Sequence, residues 1–141
     1  MIDDANVLEL FRFADPVQSV TLRFACDAPM VAGEERYYAA EIVLESGFVN
    51  GTVGLHISGG DLDVWGRCLD ALEAEEGAEW PPGDRSAWLS VVPEDPLEVT
   101  VHDSPSTQIA VQVPVDVAAG WLEENRLRLE HARKVIADLM V

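Results

Sequence analysis

Apolar and polar residues alternate along three stretches in the first half of the chain, and a less regular apolar-rich stretch precedes them. The clearest stretch runs through Val20, Leu22, Phe24 and Cys26, with one residue between each pair. A two-residue period is typical of a strand that buries one face and exposes the other. The pattern therefore predicts strands over residues 7–13, 20–26, 37–45 and 52–58, with a loop over residues 28–35.

Two turn dipeptides, Ser46-Gly47 and Asn50-Gly51, lie between the third and fourth of these strands. Glycine and asparagine tolerate the backbone angles of tight hairpin turns, so either dipeptide could form the tip. The sequence predicts an antiparallel hairpin here and leaves its turn open between the two.

A helical period replaces the alternation after the fourth strand. Asp61 is the candidate N-cap, because its carboxylate can accept hydrogen bonds from the free N–H groups of a first turn. Gly77 is the expected stop. The apolar stripe of this helix, at spacings of three and four, consists of Leu62, Trp65, Leu69 and Leu72.

The last segment, residues 117–139, is predicted to be a second helix. Leu122, Leu129 and Ile136 repeat every seven residues, and Asn125 interrupts the apolar stripe that they form. The stripe could dock on the sheet of its own chain or pair with a second copy as a weak coiled coil. Docking within the chain is favoured, so we expect a monomer or a weak homodimer through this helix.

Three further strands are predicted between the helices, over residues 87–92, 97–102 and 107–115. Short Pro- and Asp-containing links separate them, which favours an antiparallel meander, and residues 80–83 are predicted to be a rigid loop. The resulting order is ββββ-α-βββ-α in one domain, residues 1–141. This order predicts an α+β fold with one strongly curved antiparallel sheet of about seven strands and two helices packed on one face.

The chain is strongly acidic, with 26 acidic and nine basic residues and a formal charge of −17. Such a surface repels nucleic acid and anionic lipid and attracts cations and basic proteins. An acidic N-terminus without a secretion signal, and two separated cysteines, Cys26 and Cys68, are expected of a cytoplasmic protein with reduced, buried thiols.

The sequence contains no pattern that is typical of a catalytic, cofactor or metal site. His56, His102 and His131 lack partners at metal-ligand spacing. The residues of a hydrolase triad occur side by side at 102–104, but neighbours in a strand point in different directions, so we interpret them as a turn. We therefore expect no cofactor, no metal and no enzymatic activity.

Residues 61–98 contain eleven acidic residues and only two arginines, Arg67 and Arg85. This acidic segment could be a solvated helix end, a cation site or a docking surface for a basic protein. Trp80 and Trp88 flank the acids, and an aromatic residue rimmed by charge is typical of an interface hot spot. The candidate partner-binding residues are Asp70, Glu73, Glu75, Glu76, Glu79, Trp80 and Asp84.

Three segments resemble a family of small uncharacterised bacterial domains. They are residues 45–51 (ESGFVNG), residues 76–89 (EGAEWP through RSAWL) and residues 102–105 (HDSP). The resemblance implies no activity, cofactor or site residue. The order of strands and helices is more loosely similar to that of small acidic immunity proteins, which neutralise toxins.

These observations favour a non-enzymatic protein-binding module, with an acidic docking surface for a basic partner such as a toxin. The alternative is a small ligand-binding domain or an enzyme with a concavity between sheet and helices. Its candidate lining residues are His56, Arg23 and Glu41, because each lies on the more polar face of its predicted strand.

Overall fold

A computed structural model describes residues 6–83, 85–104 and 106–139. It has an α+β architecture with two helices and antiparallel strands, as the sequence predicts. The elements in chain order are β1 (Val7–Ala14), β2 (Ser19–Ala25), β3 (Met30–Ala32), β4 (Glu35–Glu45), β5 (Gly51–Ser58), α1 (Gly59–Glu73), β6 (Ala78–Trp80), β7 (Trp88–Val92), β8 (Leu97–Asp103), β9 (Ile109–Val115) and α2 (Trp121–Leu139).

The strands form two sheets rather than the single curved sheet of about seven strands that the sequence suggests. Sheet A contains β1 to β5, with β4 paired to β2, β3 and β5; sheet B has the order β6-β7-β8-β9. The two strands that sequence reasoning missed, β3 and β6, have three residues each. Such short strands show no recognisable period, so sequence reasoning placed β3 within the loop of residues 28–35 and the last residue of β6, Trp80, in the loop of residues 80–83.

Both turn dipeptides take part in the β4–β5 hairpin. The loop runs from Ser46 to Asn50, and the Asn50 Oδ1 atom accepts a hydrogen bond from the Ser46 N–H at 3.0 Å. The Ser46 hydroxyl in turn accepts one from the Phe48 N–H at 3.0 Å. The loop thus holds its own shape while the Phe48 side chain is 94% exposed.

Helix α1 begins earlier than expected, because Ser58 rather than Asp61 is its N-cap. The Ser58 hydroxyl accepts from the Asp61 N–H at 3.3 Å, and the Asp61 carboxylate accepts from the Ser58 N–H at 2.8 Å. This reciprocal pair is a capping box. The Asp61 carboxylate also binds both terminal nitrogens of Arg85, at 2.7 and 2.9 Å.

Trp80 lies in the core, contrary to its expected place in a rigid loop and on the partner-binding surface. Its side chain is 0% exposed, and its ring lies 5.7 Å from the rings of both Trp65 and Phe11. Its indole N–H donates to the carbonyl oxygen of Asp61 at 2.7 Å. Because neighbouring residues of a strand face opposite ways, β6 turns Trp80 inward and Glu79 outward.

Asn125 explains how α2 docks on the sheet of its own chain. Its amide group accepts from the Arg12 N–H at 2.9 Å and donates to the Arg12 carbonyl at 3.2 Å. Arg12 belongs to β1, an edge strand of sheet A, so Asn125 pairs backbone groups that an edge leaves open. The apolar stripe of α2 is buried beside Asn125 through Leu129, Ala132 and Ile136. This stripe therefore packs against its own chain.

Both cysteines, Cys26 and Cys68, are buried free thiols. Burial raises the pKa of Cys68 to about 11, which keeps this thiol protonated and unreactive at neutral pH. Neither helix in the described part of the chain combines the length and apolar character that crossing a membrane requires.

Candidate partner-binding surface

The end of α1 has a backbone conformation that is unfavourable for the residue that occupies it. Glu75 has φ 62°, the left-handed region in which glycine is strongly preferred. The Glu75 N–H donates to the Leu72 carbonyl at 3.0 Å and the Glu76 N–H to the Ala71 carbonyl at 2.8 Å. These two bonds form a Schellman motif, which fixes Glu75 in this conformation.

Charge adds a second unfavourable contribution at this helix end. The last turn of α1 contains no basic residue. The C-terminal end of a helix carries partial negative charge, so carboxylates there are repelled. Glu75 and Glu76 follow immediately after the helix, and both side chains are exposed. Neither the backbone nor the helix dipole therefore accounts for a glutamate at position 75.

Two of the expected binding residues are already paired within the chain. Arg126 of α2 lies 3.0 Å from a carboxylate oxygen of Asp70 and 3.1 Å from one of Glu73. Both acids remain largely exposed, so the pairs are surface salt bridges that contribute little to stability. Their charge is nevertheless partly compensated, which makes them weaker candidates for binding a basic partner.

Three of the expected binding residues, Glu75, Glu76 and Glu79, form a group that we call the acidic edge. All three side chains are exposed. No arginine or lysine among the described residues lies within 4.0 Å of their carboxylates. Asp84, the remaining expected acid, lies outside the described residues. The uncompensated charge thus concentrates between the end of α1 and β6.

The acidic edge continues onto the outer face of sheet B. Glu79 is paired with Ser90 in the β6–β7 register, and Trp88 lies two residues from Ser90 on the same face. The main contacts of the two helices are with β1, β4, β5 and β6 and with each other, and none of these main contacts is with β7, which contains Trp88. Trp88 is only half-buried, so its aromatic ring is accessible beside the acids. The ring of Trp80, by contrast, is buried.

The Trp88 ring stacks on the imidazole of His102, with centroids 3.6 Å apart and planes at 2°. The Ser90 hydroxyl lies 3.5 Å from Nε2 of His102. The neighbouring Asp103 accepts a hydrogen bond from the Thr107 hydroxyl at 2.7 Å. Residues 102–104 thus lack the arrangement of a triad, and His102 instead fixes the orientation of Trp88.

The residues of the alternative ligand site, His56, Arg23 and Glu41, do not lie between sheet and helices. All three lie on the outer face of sheet A, where Arg23 pairs with Glu41 at 3.7 Å. His56 is exposed and shares an open hollow with Glu41 and Ser86. No enclosed concavity forms around these residues in the described part of the chain.

Sequence reasoning missed a cleft of about 350 Å³ between the two sheets. We call it the inter-sheet cleft; its apolar walls are formed by Ile42, Leu44, Val53, Val101 and Val111. Its walls come from strands far apart in the sequence, so no local pattern could have indicated it. Within the described residues, no group of three or more His, Cys, Asp or Glu side chains could hold a metal ion.

Replacing Glu75 by glycine is expected to raise the free energy of unfolding by about 1 kcal/mol, because glycine adopts positive φ without steric cost. Removal of a carboxylate from the helix end adds to the gain. Urea denaturation measures the difference. The control Glu75→Ala removes the charge but keeps a Cβ, so a gain as large in this control would contradict the backbone explanation.

The stability contribution of His102 is expected to depend on pH. Burial lowers the pKa of His102, and Glu79 opposes part of this effect. The unfolded chain therefore binds the proton more readily, and stability is lost as pH falls below about 6.5, the ordinary value. The His102→Gln variant has no imidazole to protonate, so it should not show this loss of stability at low pH. Thermal denaturation of both proteins between about pH 7.5 and pH 5 tests the prediction, and a pH-independent difference would contradict it.

Comparison with known proteins places the chain in a family. Residues 8–137 match the model of a family of unknown function, DUF5959. No curated protein matches the chain significantly. No solved structure does either. The likeness to immunity proteins therefore has no support among these comparisons.

Proposed function

The chain belongs to the DUF5959 family, whose function is unknown, and we propose that it is a non-enzymatic binding module for a basic protein. The docking surface consists of the acidic edge (Glu75, Glu76 and Glu79) together with Trp88. Asp70 and Glu73 border it and add long-range negative potential. Trp80 contributes only by holding β6 in the core.

The observation that carries the proposal is the glutamate at position 75. It occupies a left-handed backbone position and adds negative charge where a helix already ends with partial negative charge. Residues that violate local stability rules concentrate at functional sites. A basic partner would remove the charge repulsion on docking, so the electrostatic part of the free energy that Glu75 costs the free protein is recovered in the complex.

Trp88 supplies the aromatic component that an interface needs beyond charge. Large half-buried rings with a fixed orientation contribute strongly to binding at little entropic cost. Stacking on His102 holds the Trp88 ring in place before the partner arrives. The acids then accelerate association and make it sensitive to salt.

A basic toxin is one partner that this surface would fit, and neutralisation by occlusion is the corresponding activity. This form of the proposal comes from the acidic charge and the order of elements in the sequence. It predicts that the captured partner is itself basic and that its activity is blocked in the complex.

A capture experiment with three matched baits tests the proposal. The baits are the wild-type chain, an acidic-edge variant (Glu75→Lys, Glu76→Lys, Glu79→Lys) and a control variant with the same charge change on α2 (Glu124→Lys, Glu130→Lys, Asp138→Lys). Each is immobilised and exposed to lysate of the source organism at low salt. Bound proteins are then eluted with increasing salt and identified by mass spectrometry.

We expect one basic protein to be retained by the wild type and the control and lost from the acidic-edge variant. Loss from both variants would indicate a response to net charge alone and would contradict the assigned surface. Equal retention by all three baits would also contradict it, because the partner would then dock elsewhere. Circular dichroism of each bait checks that the substitutions leave the fold intact.

A further inference from the structure

The inter-sheet cleft is built by the inward faces of both sheets. In the β4–β5 register Ile42 is opposite Val53 and Leu44 is opposite Gly51. Directly opposed residues of an antiparallel pair share a face, so all four positions face the cleft from one side. Val101 and Val111 close it from sheet B. A cleft of about 350 Å³ is within the range of small-molecule sites.

Gly51 keeps this cleft open. A Cβ atom added at Gly51 would meet no heavy atom within 4 Å. The backbone does not require glycine there, because Gly51 is not among the glycines with positive φ. Gly51 lies opposite the buried Leu44, and a larger side chain at position 51 would fill the space between the sheets. Because glycine has no side chain, this volume is left for a ligand.

Charge determines which head group such a ligand can carry. The described lining contains one carboxylate, Asp103, and no basic side chain. Thr107 donates a hydrogen bond to the Asp103 carboxylate at 2.7 Å, which holds it at the rim. The net charge of −17 adds a field that repels anions. A carboxylate or phosphate head would meet repulsion here, whereas an ammonium head would meet Asp103.

We propose that the inter-sheet cleft binds an aliphatic ammonium compound, with its alkyl chain between the sheets and its cationic head beside Asp103. The site is separate from the docking surface and does not depend on it. The apolar walls bind the chain by excluding water, and Asp103 selects the head group.

Three ligands with the same alkyl chain separate these contributions: octylammonium, octanol and octanoate, each below its micellar concentration. Titration followed by NMR of the protein methyl groups gives the Kd of each. We expect saturable binding of octylammonium, roughly fivefold weaker binding of octanol and still weaker binding of octanoate. In Asp103→Asn, which keeps an oxygen acceptor for Thr107, the preference for octylammonium over octanol should disappear.

The blocking variant is Gly51→Phe, which places a ring in the cleft. Its matched control is Gly47→Phe in the same hairpin, where an added Cβ also meets no atom within 4 Å and which does not line the cleft. We expect binding to be lost in the first and kept in the second. Thermal denaturation checks that both variants fold.

Absence of saturable octylammonium binding to the wild-type protein would overturn the proposal. If Gly51→Phe binds octylammonium as tightly as the wild type, the ligand does not occupy the inter-sheet cleft. If octanoate binds as tightly as octylammonium, Asp103 does not select the head group. If no amine binds and Gly51→Phe loses the captured protein partner, the cleft takes a side chain of that partner instead. Because Gly51→Phe leaves the acidic edge unchanged, absence of amine binding by itself leaves the proposed docking surface standing.

Discussion

Replacing Arg85 by methionine is expected to lower the free energy of unfolding by about 3 kcal/mol, because it leaves the buried carboxylate of Asp61 without its charged partner. The Asp61 side chain is only 5% exposed, and Arg85 provides two of its hydrogen bonds, at 2.7 and 2.9 Å. Arg85 also donates to the His56 carbonyl at 3.2 Å, so it links β5, α1 and the chain before β7.

A double-mutant cycle tests this explanation. Asp61→Asn removes the buried charge but keeps an oxygen that can accept from the Ser58 N–H. The pair of substitutions should therefore cost less than the sum of the two single ones. Urea denaturation of the four proteins gives the coupling energy, and purely additive losses would contradict the assigned ion pair.

Replacing Trp88 by alanine is expected to weaken binding of the captured partner by roughly thirtyfold, about 2 kcal/mol, as for an aromatic hot spot. Its stack on His102 is a surface contact, so the free energy of unfolding should fall by only about 1 kcal/mol. Isothermal titration calorimetry measures the affinity. Phe48→Ala, which removes a 94% exposed ring elsewhere, is the matched control.

Two outcomes of this comparison would contradict the account. Trp88→Ala could bind the partner as tightly as the wild type, which would leave the ring with a structural role only. Phe48→Ala could show the larger loss, which would place the interface at the β4–β5 hairpin rather than on the outer face of sheet B.

Most of the architecture could be predicted because the long elements have clear periods. The alternation in β2, β4 and β5 and the helical spacing in α1 and α2 each report which side is buried. Asn125, the polar residue in an apolar stripe, was compatible with docking within the chain. Its partner, the backbone of Arg12, is 113 positions away and could not be identified from sequence.

The errors lie where local sequence offers two competing signals. Ser58 and Asp61 are both good capping residues, and only the reciprocal bond between them shows which one begins the helix. Trp80 follows acids in a stretch with Pro81, Pro82 and Gly83, which resembles a loop more than a three-residue strand. Because β6 was not recognised as a strand, its inward-facing Trp80 was wrongly assigned to the binding surface.

Two features used in the proposals, the conformation of Glu75 and the inter-sheet cleft, had no sequence signal. Gly77 was the natural helix stop, yet Glu75 adopts the left-handed conformation two residues earlier. The inter-sheet cleft depends on the approach of β4 and β5 to β8 and β9, which is a tertiary property. Composition marked the acidic edge as part of a larger candidate set, and only ion-pair geometry separates it from Asp70 and Glu73.

The most direct test of the docking surface is one substitution measured in two ways. Glu75→Gly is compared with the wild type for its free energy of unfolding and for its affinity for the captured basic partner, at low and at physiological salt. We predict a protein that is more stable and binds more weakly, with the affinity loss largest at low salt. A variant that is more stable and binds equally well at both salt concentrations would contradict the account, because Glu75 would then have no role in docking.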